Sequence, residues 1–75
     1  MQVKIVAINY TDYGIAVEVD FTEAGVKISR SLIFDSKVTL ASAKSQIVSL
    51  AQELKAQYLR AQELKTAYEG YEFEV

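Results

Sequence analysis

The chain has no cysteine, histidine, proline or tryptophan, and only three of its 75 residues are glycine. Without cysteine no disulfide can staple the fold. Without cysteine and histidine, the thiol nucleophile, the common general base and the usual zinc ligands are missing as well. The glycines stand singly at Gly14, Gly25 and Gly70, so no glycine-rich phosphate loop exists. The acids show no EF-hand spacing. Ser29, Ser31, Ser36, Ser42, Ser45 and Ser49 have no base to activate them. No apolar run approaches the roughly 18 residues of a membrane span. These absences set the expectations: no enzyme, no cofactor, no metal and no membrane. No motif specifies a reaction.

One catalytic pattern survives them. Glu18 and Asp20 share one face of a strand, about 7 Å apart at strand spacing. Paired carboxylates can hydrolyse glycosides. That chemistry needs a cleft, which so short a chain can hardly build, and a solvated strand face is the preferred reading.

The net charge is −2, with 8 basic and 10 acidic residues. Phosphate backbones attract basic surfaces, so nucleic acid is not expected as the main partner. Apolar residues make up 51% and charged residues 24%, the balance of a folded chain. Seventy-five residues make one domain. A core this small rarely supplies more than about 3–5 kcal/mol, so small domains usually carry a staple. With disulfide and zinc gone, oligomerisation remains. Met1 runs straight into an alternating pattern, so no leader is expected and a cytoplasmic location is the default.

What is present reads as an α+β domain of three strands and one long helix. Residues 2–11 alternate loosely and are rich in β-branched side chains. Residues 15–22 alternate cleanly, with Ile15, Val17, Val19 and Phe21 on one face. Residues 26–34 set Val26, Ile28, Leu32 and Phe34 in one phase. The connections Thr11-Asp12-Tyr13-Gly14 and Thr22-Glu23-Ala24-Gly25 share one chemistry. Both suit a type I turn with a left-handed glycine, and short hairpins imply an antiparallel meander.

Two registers fit the second hairpin. A three-residue loop sets Arg30 opposite Glu18 as a cross-strand ion pair and puts Val26, Ile28 and Leu32 on the face of Val6, Ile8 and Tyr10. A two-residue loop aligns Val26, Ile28, Leu32 and Phe34 with Val17, Val19 and Phe21 but leaves Arg30 in the core phase. A slip of one residue reverses every side chain. The cost of burying an unpaired arginine favours the first.

Residues 38–69 contain no glycine or proline and are dominated by good helix formers. That is about 32 residues, or about 48 Å, against about 30 Å for a nine-residue strand. Asp35 and Ser36 are N-cap candidates, Thr39 a later one, and Gly70 suits the far end. Leu40, Ile47, Leu54, Ala61 and Tyr68 fall at one heptad position, and Ala43, Leu50, Gln57 and Leu64 at another. The first half of this stripe suits the helix's own sheet. The second half runs past the sheet and needs another cover. Ala51-Gln52-Glu53-Leu54-Lys55 recurs as Ala61-Gln62-Glu63-Leu64-Lys65, which reads as local helix-forming composition. Glu53 and Arg60 flank the stripe on one side and Lys44 and Lys65 on the other, a pattern that favours antiparallel over parallel pairing. Residues 71–75, Tyr-Glu-Phe-Glu-Val, alternate like a strand or form a frayed tail.

Leu54, Tyr58, Ala61, Leu64, Tyr68, Tyr71 and Phe73 are therefore the candidate oligomer interface, and a homo-oligomer is the expected partner. Tyr10, Asp12, Tyr13, Glu18, Asp20 and Glu23 form a second candidate surface for another protein. The first functional expectation is a self-assembling structural or accessory protein. In size and style the chain resembles the compact accessory proteins of tailed phages and prophages, without a diagnostic motif. The alternative is a small acidic inhibitor or adaptor that offers its strand face to a basic partner. A sheet followed by a helix also resembles the arm-binding domains of phage integrases, but the acidic balance and the overlong helix depart from that pattern.

Overall fold

In a computed structural model of residues 1–75, four elements follow in chain order. They are β1 (Gln2–Thr11), β2 (Gly14–Glu23), β3 (Val26–Phe34) and α1 (Leu40–Tyr68). The strands form one antiparallel meander in the order β1-β2-β3. The expected βββα arrangement is therefore present. Residues 71–75 add no strand to it.

The core lies between the sheet and the first half of the helix. Val17, Val19 and Phe21 of β2 and Phe34 of β3 are buried there against Ile47 and Leu54 of α1. Ile28, Leu32, Ala43, Leu50 and Ala51 pack around this cluster, half-buried.

β1 explains its own loose pattern. Its pairing with β2 slips between Ile5 and Ala7, leaving Val6 as the extra residue of a bulge. Before the bulge the odd residues Val3 and Ile5 lie opposite Phe21 and Val19. After it the even residues Ile8 and Tyr10 lie opposite Val17 and Ile15. All four share the core face. Val6 borders a shallow depression with Glu18, Asp20, Ser29 and Ser31 on the other side of the sheet, as expected, whereas Ile8 and Tyr10, expected to share its face, are turned to the core face by the bulge.

The second hairpin takes the two-residue register, against the expectation. Glu23 pairs with Val26, Val19 with Arg30, and Glu18 with Ser31. Ala24 (φ 49°) and Gly25 (φ 81°) are both left-handed, the geometry of a type I′ turn. The two turns thus differ. In the first the positive φ falls on Gly14 (130°), where an added Cβ would strike the carbonyl of Phe34. Thr11 closes that turn, its hydroxyl donating to the Gly14 carbonyl (2.9 Å) and accepting from the Tyr13 N–H (3.2 Å). The register puts Ile28, Leu32 and Phe34 beside the β2 core residues. Arg30 escapes the expected burial because β3 is an edge strand. Its side chain reaches solvent and donates to the Ser29 carbonyl at 3.2 Å.

The helix starts at Thr39, whose hydroxyl accepts from the Ser42 N–H (3.1 Å). Asp35 instead organises the preceding turn, its carboxylate accepting from the Lys37 N–H (2.8 Å) and its carbonyl from the Val38 N–H (2.9 Å). Gly70 (φ 79°) takes the left-handed conformation just past the helix. At 29 residues α1 is about 44 Å long, and the molecule extends 53 Å along its longest axis.

Two predictions follow from this packing. Ala24 carries the steric cost of a left-handed alanine, about 1–2 kcal/mol. Ala24→Asn creates the preferred Asn-Gly pair and should stabilise the fold by about 0.5–1 kcal/mol, seen as a higher urea midpoint at unchanged slope. Leu54→Ala opens the core and should cost about 2–5 kcal/mol in the same measurement, enough to unfold much of the protein.

Candidate interaction surface

One helix is too narrow for this sheet. Three strands at about 4.8 Å spacing set their outer axes about 10 Å apart, and side chains widen the face further. A helix with its side chains is about 10–12 Å across. The five residues 35–39 between Phe34 and Leu40 tie the helix start to the end of β3. The helix therefore favours the β2–β3 side, and the core face of β1 stays bare. Val3, Ile5 and Ile8 are 42%, 46% and 63% exposed. They floor an apolar groove of about 610 Å³ whose helical wall includes Leu40, Ala43, Ile47 and Val48, with Lys44 at its edge.

The sequence reading missed this groove. Its signals were the change of phase along β1 and the column Leu40-Lys44-Val48, which lies beside the main helical stripe.

The candidate helix residues divide. Leu54 is 3% exposed and belongs to the chain's own core, which corrects its assignment to the interface. Tyr58 is half-buried at the limit of the sheet. Ala61, Leu64 and Tyr68 are exposed on the overhanging turns, as is Leu59. Tyr71 and Phe73 are exposed too, and with Tyr68 they form a small aromatic cluster with ring centres 6.1 and 5.7 Å apart.

The strand-face candidates do not form one patch. Glu18 and Asp20 point away from the helix, whereas Glu23 lies on the core face at the sheet's end, 3.0 Å from the Met1 amino group. Asp12 and Tyr13 occupy the tip of the first hairpin at the opposite end of the sheet, and Tyr10 stands beside it on the core face. Asp20 is also answered locally. Ser29 donates to it at 2.7 Å and Lys27 pairs with it at 3.2 Å. The Ser29 hydrogen bond chiefly, then Lys27 and the charge of Lys4, hold its carboxyl below the usual range, with partial desolvation opposing them.

No group of three or more acids lies close enough together to hold a metal ion. No helix is long and apolar enough to cross a membrane. No family model, curated protein or solved structure matches the chain.

The Asp20 site has a pH signature. A depressed native pKa stabilises the fold above the unfolded value, about 3.9 for aspartate, and that contribution is lost as pH falls through the native value. Ser29→Ala should raise the Asp20 pKa toward the ordinary value in a carboxyl NMR titration. The stability gap between variant and parent should be full near neutrality and close in acid.

Proposed function

We propose that the protein is a non-enzymatic structural or assembly component that self-associates, in size and style like the accessory proteins of tailed phages and prophages. One observation carries this reading: the chain exposes far more surface than a self-sufficient monomer of its mass. Its accessible surface is 6155 Å², against about 4600 Å² for a compact 8.4 kDa protein. Its radius of gyration is 16.6 Å, against about 11 Å for a compact domain of this length. The excess of roughly 1500 Å² exceeds the ~800 Å² that each partner buries in a standard interface. Part of the exposed surface is a contiguous apolar groove, as interaction sites are.

The acidic inhibitor or adaptor draws less support. Its carboxylates are scattered over both faces and both ends of the sheet, and Asp20 already has its cation.

Light scattering coupled to size exclusion, over a protein dilution series, tests the proposal. The expected result is a dimer or larger species. Ile8→Glu changes an exposed side chain in the groove floor and should yield a folded monomer with unchanged helical circular dichroism. A folded parent protein of 8.4 kDa at every concentration overturns the proposal.

A further inference from the structure

We infer that the groove over β1 is filled by the overhanging end of α1 from a second copy, in a symmetric pair with antiparallel helices. The inference rests on the self-association proposed above and names its geometry.

Size gives the first argument. The bare strip from Val3 to Ile8 is about 17 Å long at strand spacing. The overhanging turns, residues 59–68, are about 15 Å long. The overhang presents Ala61 and Tyr68 toward the sheet side of the helix, within about 40° of buried Leu54, with Leu64 on the flank about 80° round. A second helix laid beside α1 supplies the width that one helix lacks.

Symmetry gives the second. The groove wall centres near Lys44 and the overhang near Leu64, with Leu54 midway between them. A two-fold axis perpendicular to the sheet, running between the two helices at the level of Leu54 and Lys55, therefore sets each overhang over the other copy's groove at once. The same surface serves both copies, as an isologous dimer requires. Residues 69–75 of the same chain cannot do this. Tyr68 lies about 36 Å along the helix from the level of Lys44, and seven further residues reach at most about 25 Å.

Charge gives the third. The groove end of the helix carries Lys37 and Lys44 and no acid in its first turn. A helix N-terminus favours negative charge. The segment after the overhang supplies it, with Glu69, Glu72 and Glu74 and no cation. Antiparallel pairing brings that segment to the partner's helix start, whereas parallel pairing sets it beside its own twin.

Site-directed cross-linking tests the geometry, and the absence of native cysteine makes it clean. Gln62 follows Lys44 by five whole helical turns, so both side chains point toward the proposed second helix. Within one chain they are about 27 Å apart, beyond a short bis-maleimide. The double variant Lys44→Cys/Gln62→Cys should become covalently dimeric, while each single variant stays uncross-linked because its two copies lie about 30 Å (Lys44) or about 24 Å (Gln62) apart along the helices. Light scattering on the same samples reports association independently. A dimer in which the double variant fails to cross-link, or in which either single variant links to itself, overturns this geometry and leaves self-association standing. A folded monomer at every concentration overturns both.

Discussion

A single helix has to cover three strands, and it cannot. The short link after β3 fixes where α1 begins, so the shortfall in width falls on β1, the strand farthest from that tether. The bare face of β1 and the groove beside it descend from this. Val17, Val19 and Phe21 on the central strand receive full cover, and Phe34 beside them does too. Val3, Ile5 and Ile8, on the same face but on the outer strand, do not. The length of the helix is a second, separate mismatch. It creates an apolar surplus at one end of the molecule while the width mismatch creates an apolar deficit of cover at the other.

The bulge at Val6 has a place in this scheme. Without it, β1 would present Val3 and Ile5 on one face and Ile8 and Tyr10 on the other, and neither face would be continuous. With it, four apolar side chains line up on the core face. Bulges also twist an edge strand away from regular pairing with a neighbour. The irregularity therefore favours contacts made through the face of β1 over contacts made through its edge, which is the mode of a helix laid across it.

The elements themselves were legible because their signals are local: clean alternation in β2, a glycine at each turn, and 29 helical residues without glycine or proline. The register of the second hairpin was not. The shorter loop sets Arg30 in the core phase, so the cost of burying it argued for a longer loop, and the charges of Glu18 and Arg30 argued for the same pairing. Arg30 reaches solvent from the edge strand, and burial of Phe34 with half-burial of Ile28 and Leu32 outweighed the pairing, because alignment with the β2 core is worth more than one exposed ion pair. For the candidate surface, the overhang was readable from helix length alone. Leu54 was misassigned because a heptad stripe does not reveal where the sheet beneath it stops. The groove escaped because its floor depends on the bulge and its extent on the sideways placement of the helix, both of them tertiary facts.

The core also bears on how folding and association relate. Only seven of 75 residues are buried, six of them apolar, and no disulfide supplements them. A domain so thinly cored sits near the limit of independent stability. Ligands that bind only the native state raise its stability by mass action, and a second copy is such a ligand. In the proposed pair each overhang covers apolar surface contributed by β1 and by the first turns of α1, elements that the monomer holds on one side only. Covering them adds to the stability of both elements and of the Leu54 core beneath. On that proposal, association does for this chain what cysteines or zinc do for other small domains, and the width left uncovered by its one helix is what makes room for it.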